Sequence, residues 1–149
     1  MSVDMVNLLP WERFNFVLHS ESMKAMRYMY FFSILIIEIY QIENSELLPV
    51  LGDLIFRNIR DSDLIGEDER QRFLLLLHDV EITNTFKIGQ RIKDQVKKQN
   101  LAMEGKESRL TVSIGGACFP TDSTDPKELF MAADNVLQKA KSLWRNREG

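Results

Sequence analysis

The segment from Phe31 to Tyr40, FFSILIIEIY, constrains this chain more than any other. It is rich in β-branched and aromatic residues and is apolar at odd and even positions alike, a pattern that suits a strand covered on both faces. Such a strand needs neighbours on its edges and helices above and below it. The longest apolar stretch, Met29 to Ile37, is interrupted by Ser33 and stopped by Glu38. That is well short of the roughly 20 residues of a membrane span, so the segment reads as core and no span is expected.

The rest of the chain supplies the neighbours. Trp11, Phe14, Val17 and Leu18 follow helical spacing, which predicts an amphipathic helix over about residues 10–28. Leu47, Leu48, Val50, Leu51, Leu54, Ile55 and Ile59 repeat at helical intervals, with Pro49 tolerable in a first turn. The run DLIGEDERQRFLLLLHDV from Asp63 reads as a hairpin, with strands over 63–68 and 72–78 about a charged turn. Phe86, Ile88, Ile92 and Val96 form a third helical stripe, and the polar stretch KKQNLAMEGKES after it is expected to be a surface loop. Residues 110–117, LTVSIGGA, read as a strand ending at the paired glycines Gly115 and Gly116. Asp125, Pro126 and Glu128 supply an N-cap, a proline at the first helical position and a capping-box glutamate, so a last helix runs from there to about Leu143. This order predicts an α+β sandwich, with helices on a central, mainly antiparallel sheet.

Composition bounds the function. With 149 residues, 44% hydrophobic and 28% charged, the chain fits one domain, which can be a piece of a larger regulator. A net charge of -3 argues against a partner that is a nucleic-acid polymer, although a small anion needs only two or three basic side chains. The lone Cys118 rules out an intrachain disulfide and a cysteine-based zinc site. With no basic, small-residue-cleaved leader at the amino terminus, a cytoplasmic location is expected.

The C-terminal stretch LTVSIGGACFPTDSTDPKELFMAADNVLQKAKSLWRNR resembles the end of a GGDEF domain, the diguanylate cyclase fold of bacterial signalling. Ala132, Ala133, Asp134, Leu137, Ala140, Lys141, Arg145 and Asn146 fall in that family's spacing, with Trp144 where the family has glycine. The segment RDSDLIGEDERQRFLLLLHD is similar to the one that carries the family's name, and FFSILIIEIY resembles its first strand. The resemblance runs from about Leu9 to Arg147 and implies a nucleotidyl-cyclase-like fold.

The same resemblance implies a degenerate catalytic centre. Its five-residue signature falls on Glu69-Arg70-Gln71-Arg72-Phe73, where the family has two glycines, two acids and phenylalanine. Side chains at Glu69 and Arg70 obstruct the close backbone approach to GTP that glycines allow. Gln71 and Arg72 replace the acids that help hold two magnesium ions, and a cation at Arg72 repels metal. The metal-binding aspartates of the first strand read Glu38 and Tyr40. Between that strand and the next helix the chain is shorter by about a dozen residues, which removes most of the guanine site. Glu38, Lys141 and Arg145 remain as remnants of the substrate site. No catalytic residue, metal ligand or cofactor is assigned, and Mg²⁺ enters only if residual cyclase activity persists.

A second feature implied by the resemblance is kept. Active members often carry an inhibitory RxxD product site ending five residues before the signature, and Arg60-Asp61-Ser62-Asp63 stands at that spacing before Glu69. The family's second arginine lies 31 residues after the first, which is Arg91. Cyclic di-GMP offers guanine O6 and N7 to arginine forks and guanine N1–H and N2–H to a carboxylate, so Arg60, Asp63 and Arg91 match its pattern. Taken alone, Arg60 and Asp63 also suit a solvated ion pair at a helix end, and Arg91 a surface charge.

The expectation is therefore a catalytically inactive domain that binds cyclic di-GMP, with a protein partner or a second copy as its output. Two alternatives stand beside it: a residual cyclase or GTP-binding regulator using Glu38, Lys141 and Arg145, and a nucleotide-free dimerisation scaffold. His19 and His78 lie on different elements without a nucleophile beside them and read as surface or boundary residues.

Overall fold

In the computed structural model, which describes residues 8–40, 47–102 and 111–148, Phe31–Tyr40 does become the centre of the molecule. Strand β1 (Phe32–Tyr40) lies between β3 (Phe73–His78) and β4 (Thr111–Phe119), and β2 (Leu64–Glu67) completes the sheet in the order β2-β3-β1-β4. Every strand pair is antiparallel.

Alternation along β1 sorts the core into two layers. Leu35 and Ile37 face helices α2 (Leu47–Phe56) and α3 (Ile82–Ala102), with Leu51, Leu54, Ile55, Ile92 and Val96 packed against them. Ile34 and Ile36 face α1 (Trp11–Tyr28) and α4 (Pro126–Glu148), whose Phe14, Leu18, Leu129, Ala133 and Leu137 are almost wholly buried. Each buried Leu, Ile or Phe side chain contributes about 1.5–3 kcal/mol by leaving water, which is why the doubly apolar strand dictates the three-layer arrangement.

Helix termini follow their local chemistry. The Asp125 carboxylate accepts the Glu128 N–H at 2.9 Å, the predicted cap. Met29 closes α1 in the left-handed region at φ 58°, donating its N–H to Ala25. Ahead of α1, Leu9 bonds to both Ile65 and Glu67 and closes the outer edge of β2.

Three expectations need correction. The residues of the polar stretch from Lys97 to Ala102 continue α3 instead of forming a loop, because lysine, glutamine, leucine and alanine favour helix and no Gly or Pro interrupts them; residues 103–110 lie outside the described ones. Phe86 leaves the buried stripe and is 72% exposed, while Thr85 and Gly89 take that face. Gly115 and Gly116 sit inside β4, not at its end. A Cβ at Gly115 would stand 2.2 Å from the Ala133 carbonyl oxygen, so glycine is what lets α4 lie directly on the strand.

Candidate functional site

The β2–β3 turn occupies the place of the family's signature, and Asp68 organises it. Its Oδ1 accepts the backbone N–H groups of Arg70 and Arg72, each at 3.0 Å, and its carbonyl accepts that of Gln71 at 3.0 Å. Gln71 adopts φ 63°, a left-handed conformation that costs a non-glycine residue about 1–2 kcal/mol.

Beyond the turn, parity decides where Arg72 points. Leu74 and Leu76 face α1 and α4, so Arg72, two residues earlier, faces the same way, as does Glu38 after Ile34 and Ile36 on β1. The Arg72 guanidinium is buried among three carboxylates. Its Nε donates to Asp68 Oδ2 at 2.7 Å, its Nη1 to Asp134 Oδ1 at 2.8 Å, and Nη1 stands 4.0 Å from Glu38 Oε1. Lys141, two turns along α4 from Asp134, makes an ion pair with Glu38. Burial works against the charge on Arg72, but the hydrogen bonds to Asp134 and Asp68 outweigh it and hold the guanidinium pKa above its ordinary value. Burial likewise opposes ionisation of Asp134, yet Arg72 and Gln138 hold its carboxyl below the ordinary range.

This donor set does not fit the two-metal chemistry that the family resemblance implies. The acids that face the site already neutralise an internal cation, and a magnesium ion there would meet the fixed charge of Arg72. Of the expected substrate-site remnants, Glu38 and Lys141 are brought together, while the side chain of Arg145 lies outside the described ones. The sequence reading did not single out Asp68, and it placed Asp134 in the family's spacing without pairing it to Arg72. The available signal was the position of Asp134 seven residues before Lys141, on the same helical face.

The RxxD turn lies at the other end of the hairpin, between α2 and β2. Asp63 is buried, and its two oxygens accept the backbone N–H of Arg60 at 2.9 Å and of His78 at 3.0 Å. Arg60 Nε stands 3.6 Å from Asp63 Oδ2, and its Nη2 donates to the His78 carbonyl, with most of the side chain exposed. Arg91, from α3, donates through Nε to Asn58 Oδ1 at 2.7 Å, two residues before Arg60. The fold thus gathers Arg60, Asp63 and Arg91 around one turn.

His78 is more than a boundary residue. Its Nε2 stands 2.8 Å from Glu21 Oε1 on α1, and Glu21 also accepts the Tyr30 hydroxyl at 2.9 Å. His78 Nδ1 is buried without a hydrogen-bond partner among the described residues, 3.9 Å from Asp63 Oδ1. His19 is exposed.

Comparison with known proteins bears on the family and the fold. The chain is 31% identical over 103 residues to the diguanylate cyclase DosC of Escherichia coli (strain K12), a match covering 68% of this chain and 22% of DosC. It therefore spans under a quarter of that relative's length. In three dimensions it resembles the active GGEEF domain of a diguanylate cyclase from Vibrio cholerae, with a TM-score of 0.80 at 17% identity, covering 91% of this chain and 92% of that one. It also resembles the coiled coil and GGDEF domain of DgcB from Caulobacter crescentus in complex with c-di-GMP, with a TM-score of 0.78 at 15% identity, covering 95% and 81%. No described helix is long and apolar enough to cross a membrane. Since the model of the family described as "Diguanylate cyclase, GGDEF domain" matches residues 8–147, nearly the whole of it, this chain belongs to the GGDEF-domain family.

Proposed function

We propose that this chain is a non-catalytic GGDEF domain that receives cyclic di-GMP at the turn carrying Arg60, Asp63 and Arg91. The observation that carries this reading is the contrast between the two ends of the hairpin. At the signature end, Arg72 fills the space among Asp68, Asp134 and Glu38, which favours loss of metal-dependent cyclisation. At the other end, two exposed guanidinium groups flank one turn, anchored but with donors to spare.

In this reading Arg60 and Arg91 supply the forks for guanine O6 and N7, and their planes can stack on the bases, a role lysine cannot take. Asp63 shapes the turn through its two backbone bonds, and each oxygen retains a second lone pair for guanine N1–H and N2–H. Ligand held between two such turns, or between this domain and a neighbour, would couple cyclic di-GMP to assembly with a second copy or a protein partner.

Calorimetry tests the reading. Cyclic di-GMP is expected to bind while GTP at the same concentration does not, and Arg60→Ala and Arg91→Ala should each weaken binding by about tenfold, or 1.4 kcal/mol. Incubation with GTP and Mg²⁺ or Mn²⁺ should yield no cyclic di-GMP by chromatography. Absence of heat with cyclic di-GMP at high micromolar concentration would leave the nucleotide-free scaffold as the better account.

A further inference from the structure

Three segments distant in sequence meet at His78. It is the last residue of β3, since Asp79 after it turns into the left-handed region at φ 53°. Pairing of β3 with β2 stops two residues earlier, at Leu64↔Leu76. The next main-chain groups along that edge are those of His78, and the RxxD turn takes both. The N–H donates to Asp63 Oδ1 at 3.0 Å, and the carbonyl accepts Arg60 Nη2. Asp63 and Arg60 are therefore set against the main chain of a strand's final residue, where a ladder opens most readily.

The His78 side chain is held from α1. Its Nε2 stands 2.8 Å from Glu21 Oε1, while Nδ1 has no hydrogen-bond partner among the described residues. With the ring proton on Nε2, Nδ1 is an acceptor 3.9 Å from Asp63 Oδ1, itself an acceptor, so the ring gains no hydrogen bond from the turn. Glu21 is only 6% exposed and lies between the apolar Leu18 and Ala25 on the buried face of α1. A carboxylate so placed is costly unless it is bonded. Tyr30 donates its hydroxyl to Oε1 at 2.9 Å, and Lys24 stands 3.4 Å from Oε2. Those two partners belong to α1 and the residues just after it, so His78 is the contact that joins Glu21 to the hairpin.

We propose that Glu21 is a positioning residue for the turn of Arg60 and Asp63. Through the His78 ring it fixes the main-chain groups that hold both side chains ready for cyclic di-GMP. The inference rests on the reading of that turn as a cyclic di-GMP site. Packing on α1 asks for an apolar residue at this place, whereas a carboxylate gives the end of β3 a hydrogen-bonded anchor on another element. A turn held in its ligand-ready form binds more tightly, because less ordering is left for the ligand to impose. By the same linkage, bound ligand steadies the contact of His78 with Glu21, so α1 and the turn respond to each other.

Calorimetry with cyclic di-GMP and amide exchange in the ligand-free chain test it together. Glu21→Met removes both acceptor oxygens at similar length and should weaken cyclic di-GMP binding about fivefold, whereas Glu21→Gln keeps an acceptor and should recover the parent's affinity to within about twofold. In an Arg60→Ala background Glu21→Met should cost under about twofold, because a side chain it positions is gone. In the free chain Glu21→Met should speed exchange about fivefold or more at His78 and Arg60, whose N–H groups both bond to Asp63, and leave Leu35 and Leu75 at the sheet centre unchanged. His78→Phe cuts the contact from the strand side and should give the same pattern, which serves where Glu21→Met does not fold. If the parent binds and neither variant loses affinity, if the loss is equal with and without Arg60, or if exchange at His78 and Arg60 does not change, the positioning role alone is overturned. Faster exchange throughout the sheet would make Glu21 a general support of the fold and overturn it too. No heat from the parent chain refutes instead the reading of the turn as a cyclic di-GMP site, and the positioning role falls with it.

Discussion

Arg72 and Asp134 lie 62 residues apart in sequence and face each other as fork to carboxylate, Nη1 to Oδ1 at 2.8 Å and Nη2 to Oδ2 at 3.4 Å. The pair ties the β2–β3 turn to α4. Its geometry balances charge inside the fold: one internal cation faces the carboxylates of Asp68, Asp134 and Glu38.

Removing that cation should therefore be costly. Arg72→Met leaves Asp68, Asp134 and Glu38 clustered, and stability in urea should fall by about 3 kcal/mol, near the lower end for a broken buried pair because Asp134 is partly solvated. Asp134→Asn should cost less. An Arg72→Met chain as stable as the parent would show the network to be ornamental.

The same pair sets an acid response. Asp134 has its folded pKa below its ordinary 3.8, so its contribution is complete above that value and is lost as pH falls through the lower, folded one. Unfolding free energy measured from pH 5 downward should drop in the parent chain, and the drop should be shallower in Asp134→Asn.

Much of this fold was legible beforehand. FFSILIIEIY announced a central strand because burial on both faces leaves a pattern that no surface strand shares, and the Asp125 cap fixed the start of α4 to the residue. The end of α3 was not legible, since a polar helical turn and a polar loop share a composition. Gly115 misled for a different reason: its absent side chain answers to the backbone of α4, a contact distant in sequence. At the site, Glu38, Arg72 and Lys141 stood out by position, but Asp68 and Asp134 needed the third dimension to be recognised as partners of Arg72.

Gly115→Ala tests the close approach of α4. The added methyl would meet the Ala133 carbonyl oxygen at 2.2 Å and the Leu137 nitrogen at 2.4 Å, both backbone atoms that cannot swing aside. A loss of about 2–3 kcal/mol is expected, or failure to fold, against well under 1 kcal/mol for alanine at an uncrowded strand glycine. Thermal unfolding would read the difference.

Tyr30 should titrate late. Burial first, then the hydrogen bond to Glu21, pushes its phenol from 10.0 up to about 12. A raised folded pKa means its contribution is whole below pH 10 and fades as pH rises toward 12. Phenolate absorbance should show one tyrosine ionising near 12, and Tyr30→Phe should remove both that step and the alkaline loss of stability.

The two ends of the RxxD turn should separate under mutation. Asp63 is buried and accepts two backbone N–H groups, so Asp63→Ala strands both donors and should cost about 2 kcal/mol or more in stability whatever ligand is present. Arg60 keeps most of its side chain in water, so Arg60→Ala should leave stability within about 0.5 kcal/mol of the parent. If Arg60 serves cyclic di-GMP, its loss appears in affinity alone, whereas Asp63 affects both. Denaturant titration of each variant, with and without ligand, draws the distinction. A large loss of stability from Arg60→Ala would instead identify the arginine as a brace for the His78 carbonyl and remove it from the binding site.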